Sequence, residues 1–567
     1  MKNLIIIAAL LLLTFSLPAQ GADRPDYLTV ADTFLARYLP DLGANGYVRF
    51  LRKPEGYYAQ EAVHGQTVVG PSRLFYLFEG EKYLDLPYAR RGPEEAGHYL
   101  TEDYALRAAG QFERHYYYGY PGFTLDVIRE LEGREEKPPE VLRFLGRAYA
   151  EHAMNLLNNR YGLAKPEWQF KLDEATGERL SAIQLAEYLR YQREAIGYYQ
   201  RLPADYATPV GDARTKHANE VMGTYLTLLQ YADEAAARAE VKVDLYDNYL
   251  LMGARAMLES CPEGAVLLTE GDNDTYGLLY VQVREGFRAD VLVLNRHLLN
   301  VPRYVELARR GYGSAQGLPA ALGAERYRAW EGAYFPADRA GRPVALADVT
   351  EWLARATNGT ALPFNRLVWP AGSEKEAYWN WTTPYLLAGD MWLMDALATN
   401  YFKRPFCLAT TVSLGRMAET NARQRRGLVY VLEPEAVTNG MQAEFGARLL
   451  EKYLGRPDVG PPSAGAEVFY GQFRYLTVLL SDHFRERSDV VRARRVLDRF
   501  VGHRPLAEVF GEAGAYGLVD RYALLNLPDM TAMYGEMLRG TLLAKPAAER
   551  TGQEEEVLRQ LEELLDK

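Results

Sequence analysis

Between residues 261 and 310 short apolar runs alternate with helical periodicity, and few folds accept that order. Residues 265–269 (AVLLT) read as a buried strand, 270–275 (EGDNDT) as a turn and 276–286 (YGLLYVQVREG) as a helix. A second strand follows at 290–295 (DVLVLN) and a second helix at 301–310. Continuous apolar runs too short for helices suit strands covered on both faces, and strands that alternate with helices pair in parallel through right-handed crossovers. Residues 405–411 (PFCLATT) and 428–432 (LVYVL) read as two more buried strands, and a helix over 391–401 precedes the first. The expected fold class is α/β plus all-α: an open, mostly parallel α/β layer of about four strands over 262–437, flanked by helical-repeat segments.

The flanks carry different patterns. Helical hairpins are expected over 136–261, with stripes at Leu142, Leu145, Tyr149, Ala153 and Leu156, then Leu185, Tyr188, Leu189, Ile196 and Tyr199, then Val221, Tyr225, Leu228 and Leu229. Residues 438–464 read as a helix and a Gly/Pro-rich linker. Residues 465–567 read as TPR-like helices, in which Tyr475, Leu479, Val496, Leu497 and Phe500 form the facing stripe of a pair broken at Arg487-Ser488. The terminal helix 553–565 is Glu-rich, which suits a solvated face. Residues 22–135 read as a mixed, irregular region rich in Tyr, interrupted by Gly and Pro. Its aromatic rings suit either core filling or a surface for sugar or protein. Residues 1–21 read as a signal peptide: Lys2, an apolar run over 4–17, then small residues at Ala19 and Gly21. The expected destination is the periplasm or the exterior.

Charge narrows the partners. The chain has 65 Lys and Arg against 75 Asp and Glu, a net charge of −10, which argues against nucleic acid because phosphate binding needs clustered cations. Beyond the leader no apolar run reaches the roughly 20 residues of a membrane span, so none is expected in the mature chain. The two cysteines, Cys261 and Cys407, lie at or beside strands, compatible with one bridge or with two buried thiols.

The candidate site is Gly271-Asp272-Asn273-Asp274-Thr275, at the carboxyl end of a strand and the start of a helix, where open α/β sheets place ligands. Three uses compete. One Asp suffices to cap the helix. Asp272 and Asp274 together form a D-x-D spacing able to hold a divalent cation. The same turn can hydrogen-bond sugar hydroxyls. His297 follows the second strand, and Trp369, Trp379 and Trp381 cluster in a connection, where packing competes with sugar stacking. No H-E-x-x-H, G-x-S-x-G or P-loop pattern occurs.

Residues 270–304 (EGDNDTYGLLYVQVREGFRADVLVLNRHLLNVPRY) resemble a segment of large bacterial membrane proteins related to the multi-span protein O-mannosyltransferase of animals. The matching positions are Gly271 to Thr275, Arg288, Asp290, Asn295, Leu298, Leu299 and Asn300. Residues 389–413 resemble that family's helix ending at Asn400, Lys403, Arg404 and Pro405; residues 426–435 resemble its next strand, and 472–505 its first repeat hairpin. In that family a polytopic half, which carries the transferase activity, precedes a soluble half on the outer face. The resemblance covers the soluble half alone, so it implies no mannosyl transfer here. The ligand-binding candidates it adds to Asp272, Asn273, Asp274 and Thr275 are Asn295, Asn400 and Arg404. The expected function is an exported, non-catalytic binding or assembly module linked to cell-envelope glycans or protein glycosylation, with a protein or glycan partner. The alternative is a metal-assisted glycan-active enzyme using Asp272 and Asp274, with a divalent cation as its cofactor and Arg404 binding an anionic group.

Overall fold

The computed structural model describes residues 25–40, 46–63, 70–101, 106, 109, 122–158, 179–370, 372–381, 383–412, 419–437, 440–455 and 462–566. The leader 1–21 and the tyrosine run 116–120 lie outside the described residues. The chain divides into two compact units, 1–172 with 180–203, and 173–179 with 204–567. The helical segment 136–261 is shared between them.

In the first unit, helix α1 (Tyr27–Arg37) is capped by Asp26, whose side chain accepts from Thr29 N at 2.8 Å. The segment whose composition suggests irregular structure holds an antiparallel meander: β1 (Gly46–Lys53), β2 (Gly56–Val63), β3 (Arg73–Leu77) and β4 (Lys82–Tyr83). Val48 and Phe50 alternate inward along β1 and are buried. Gly56 is required where β2 crosses β3, because a Cβ there would lie 2.0 Å from the Tyr76 carbonyl oxygen. The described aromatics of this region largely fill its core. Phe34 meets Phe50 at 5.4 Å and Phe75 at 5.5 Å, both edge-on, and Tyr57 meets Phe78 at 5.1 Å. Helices α2 (Phe123–Glu132), α3 (Pro139–Asn158) and α4 (Ala182–Gln200) follow. A capping box of Ser181 and Gln184 starts α4, and Glu132 accepts hydrogen bonds from the hydroxyls of Tyr149 and Tyr198.

The second unit runs α5 (Ala213–Tyr231), α6 (Asn248–Ser260), β5 (Val266–Thr269), α7 (Asn273–Glu285), β6 (Leu292–Asn295), α8 (Pro302–Arg310), β7 (Tyr334–Ala345), β8 (Leu362–Trp369), β9 (Ala377–Asn380), β10 (Tyr385–Leu387), α9 (Ala388–Asn400), β11 (Phe406–Ala409), β12 (Glu419–Thr420), β13 (Arg423–Arg426) and β14 (Val429–Leu432). Its central sheet has the order β6-β5-β11-β14-β13. β6, β5 and β11 are parallel, with Leu267 opposite both Val293 and Cys407, while β14 and β13 run antiparallel. The layer is therefore mixed and has five strands rather than about four. The reason is local: the connection between β13 and β14 is too short for a crossover, so the two close as a hairpin. Gly427 turns it at φ 58°, and a Cβ there would sit 2.5 Å from Ser260 Oγ. Every residue of β5, β6 and β11 is buried. Cys261 and Cys407 are free and buried, and the Cys261 thiol beside it, with burial, pushes the Cys407 thiol well above its ordinary value.

A second sheet, β10-β7-β8-β9-β12, occupies the region that reads in sequence as a Trp-bearing connection. Its bulged first strand breaks the two-residue alternation near Arg342, which hides it from pattern reading. Trp369 and Trp379 are buried in it, and Trp369 donates to the Glu433 carbonyl at 3.1 Å, so these rings pack. Beyond the sheets lie α10 (Ala443–Leu454), α11 (Glu467–Glu486), α12 (Val490–Val501), α13 (Tyr516–Leu524), α14 (Pro528–Leu543) and α15 (Gly552–Leu565). Phe469 of α11 packs so closely on α6 that a Cβ at Gly253 would come within 2.2 Å of it. The inward stripe of α11 is Phe469, Phe473, Leu476, Leu480 and Phe484; Tyr475 faces outward, half-exposed. Among the described residues no helix is long and apolar enough to cross a membrane.

Candidate functional site

The turn between β5 and α7 is folded by its own side chains. Asn273 to Thr275 already belong to the first turn of α7, and Asp272 holds the capping position without making a side-chain capping bond. Asp274 is buried: Oδ1 accepts from Gly271 N at 2.7 Å, and Oδ2 accepts from Glu270 N at 3.2 Å and from the Thr411 hydroxyl. Burial pushes its carboxyl up from the usual range, and these donors oppose the shift. Asn273 accepts from Asn219 Nδ2 at 2.8 Å and donates to the Val210 carbonyl at 2.9 Å. Thr275 donates to the Gly271 carbonyl at 2.6 Å and meets Thr269 Oγ1 at 2.6 Å. Asn295, at the end of β6, donates to Thr275 Oγ1 at 3.1 Å and accepts from His297 N at 3.0 Å. These four side chains hold two strand ends and a helix start in register.

Asp272 differs from them. Its carboxylate is exposed, accepts no hydrogen bond among the described residues, and is still crowded by protein. That crowding, then Glu220 and Asp274, push its carboxyl up, while Lys216 and His297 pull it down. Lys216 and Glu220 pair at 2.7 Å one turn apart on α5. On the same sheet edge, Glu270 lies 3.6 Å from both Arg296 Nη1 and His297 Nε2, and Arg296 is 4.0 Å from Asp390. Asp390 caps α9 by accepting from Leu387 N at 2.9 Å. The edge thus carries one uncommitted carboxylate among paired charges.

Arg404 stands at the opposite edge. Its guanidinium donates to the carbonyls of Gly264 at 2.8 Å, Gln316 at 2.7 Å and Gly317 at 3.0 Å. Arg288 does the same work beside it, donating to the carbonyls of Leu258, Cys261 and Pro262 and to Asp290. Asn400 is buried at the end of α9, leading into Arg404, and its Nδ2 finds no acceptor among the described residues. Arg404 therefore braces the amino-terminal edge of the parallel strands and is committed to main-chain carbonyls rather than to an anionic ligand. With Asp274 filled by three donors, Asp272 lacks a second open carboxylate in the turn. No group of three or more His, Cys, Asp or Glu able to hold a metal ion occurs among the described residues.

Residues 252–368 match the family model described as TMEM260-associated domain 2. The match starts within α6 and takes in β5, the turn, α7, β6, α8, β7 and most of β8. It thus contains the Asp272 edge, while Lys216, Glu220, Asp390 and Arg404 fall outside it. No curated protein and no solved structure matches the chain.

Sequence reading missed a pair of aromatic residues. In the register of β7 with β10, Tyr334 lies opposite Leu387 and Pro336 opposite Tyr385, so both tyrosines share one face, with Phe335 and Leu386 buried on the other. Tyr334 is 52% exposed and Tyr385 40%. Two tyrosines one diagonal step apart on an open sheet face form a platform of rings with polar rims. No local signal marks the pair, because the short run 384–387 (PYLL) does not alternate and pairing with a strand some fifty positions earlier is not visible locally.

Proposed function

We propose that this chain is an exported, non-catalytic binding or assembly module in cell-envelope glycan or glycoprotein handling. The observation that carries the reading is the commitment of the G-D-N-D-T turn: Asn273, Asp274, Thr275 and the adjoining Asn295 are all engaged in holding the sheet edge together. What lies exposed to a ligand is the Asp272 carboxylate, as a hydrogen-bond acceptor, and the ring faces of Tyr334 and Tyr385, which suit hydroxyl-rich, weakly charged molecules. The match of 252–368 and the resemblance to the soluble half of an O-mannosyltransferase-related family support a glycan context. Successive helices α11, α12, α13 and α14, which we read as TPR-like pairs, would add a surface for protein. The test is binding of the full mature chain to an array of mannose-containing oligosaccharides and O-mannosyl peptides. Binding lost in Tyr385→Ala and weakened in Asp272→Asn supports the reading; no binding to any of them removes the glycan part.

One observation favours the enzyme alternative. A carboxyl raised by crowding and solvent-accessible, with the histidine of the same edge paired to Glu270 rather than to it, is the kind of group that moves protons. Hydrolysis of aryl mannosides that disappears in Asp272→Asn, with or without Mn²⁺, would favour it over the binding module. Saturable thermal stabilisation by Mn²⁺, Mg²⁺ or Ca²⁺ that disappears in Asp272→Asn would give it a cation.

A further inference from the structure

Helices α10 and α12 lie side by side with a groove between them, about 220 Å³ at its centre, and continue into an adjoining hollow of about 430 Å³ along α12. On α10, positions 444, 448 and 451 fall on one face, and on α12 so do 492, 495 and 499. The two rows make a ladder. Its first rung is the ion pair of Glu444 with Arg492, and its third is the pair of Glu451 with Arg499, where Arg499 Nε donates at 3.0 Å. Its middle rung sets Arg448 against Arg495. Both are exposed, both line the central groove, and neither makes a hydrogen bond or ion pair among the described residues. Two cations lining one groove between two satisfied pairs, with Asp489 the only carboxylate whose charge is seen to reach Arg495 among the described residues, leave a position that one carboxylate of a partner would fill.

The surroundings select the bearer of that carboxylate. Leu450, Phe484 and Val496 give the groove an apolar floor, and Val491, 72% exposed, stands at the mouth of the adjoining hollow. Arg492 is held out of play, stacked 4.5 Å over the Phe484 ring and paired with Asp489. The two cavities carry five arginines against three carboxylates, a local excess of positive charge on a chain of net charge −10. An extended peptide that alternates acidic and aliphatic residues offers both an anion for the middle rung and side chains for the floor. A polyanionic sugar offers only the first.

We propose that the groove between α10 and α12 is a docking site for an extended acidic segment of a partner protein, one carboxylate of which bridges Arg448 and Arg495. The site is separate from the Asp272 edge and stands whether or not that edge binds a glycan.

The experiment is fluorescence polarisation of the full chain with a labelled peptide of alternating Leu and Glu, beside the same peptide with Gln for Glu. The Glu peptide should bind at low salt, and the Gln peptide about tenfold more weakly or less. The variant Arg448→Gln/Arg495→Gln should lose about tenfold in affinity while its thermal midpoint stays equal or rises, because like charges no longer line one groove. No binding of the Glu peptide, or unchanged binding by the double variant, overturns the proposal. So does displacement by oligogalacturonate as effective as by unlabelled peptide, since the groove would then read charge alone. A lowered midpoint in the double variant overturns the like-charged rung.

Discussion

The two edges of the central sheet use similar polar residues to opposite ends. At the amino-terminal edge, Arg288 and Arg404 deliver their donors to the carbonyls of Leu258, Cys261, Pro262, Gly264, Gln316 and Gly317, and Asp290 neutralises Arg288. At the carboxyl-terminal edge, Asp274 is used up in the same manner, but Asp272, two residues away, accepts nothing from the described residues. The first edge shows that a recognisable motif can be a set of braces: main-chain carbonyls beyond the strand ends lack ladder partners, and a fixed guanidinium satisfies several at once. The second shows where a motif leaves a group over for something other than folding.

If the first edge is a brace, breaking it should give the largest effect. Arg288→Ala, which strips three carbonyls and Asp290 of a donor, should cost about 3 kcal/mol in urea unfolding. A loss under about 0.5 kcal/mol would put the arginine among ordinary surface residues. Within the turn, Asp274→Asn should cost about 2 kcal/mol, because an amide cannot accept from Gly271, Glu270 and Thr411 together. A variant as stable as the wild type would erase the contrast between the two aspartates.

Asp272→Asn should act in the reverse direction. The folded state raises this carboxyl above its ordinary value of 3.8, so its charged form opposes folding once the pH exceeds the raised value, and the penalty is absent below 3.8. The variant should gain about 0.5 kcal/mol at neutral pH, a small figure because the group is exposed and screened, and the gain should vanish as the pH falls toward 3.8. Paired thermal melts across pH read this directly, and a destabilised variant would make Asp272 a cap. The smallest change belongs to Tyr385→Ala, which should shift stability by no more than about 0.5 kcal/mol while abolishing oligosaccharide binding. A large loss of stability would place the ring in packing instead.

Residues 265–269, 290–295, 405–411 and 428–432 announced their strands because each is a run of apolar residues short enough to exclude a helix, and the observed strands fall inside them. The meander around Phe50 and the bulged second sheet were illegible. Their strands carry charged and aromatic side chains that become strand-like only against neighbours distant in sequence. The stripe of α11 was misplaced by one position, Tyr475 for Leu476, since an aromatic ring with a polar tip fits either side of a helix boundary with solvent.

The candidate turn was visible as a motif, but its division of labour was not. Nothing in G-D-N-D-T says that the second aspartate faces Gly271 and Thr411 while the first stays open, because Thr411 arrives from another strand. Local sequence determined what local forces control: buried strands, a helix after the G-D-N-D-T turn whose start the structure moves three residues earlier to Asn273, and the absence of any described helix able to span a membrane. The tertiary structure decided which polar groups were consumed. A hydrogen bond or ion pair depends on which distant segment comes within about 3 Å, and chain topology sets that.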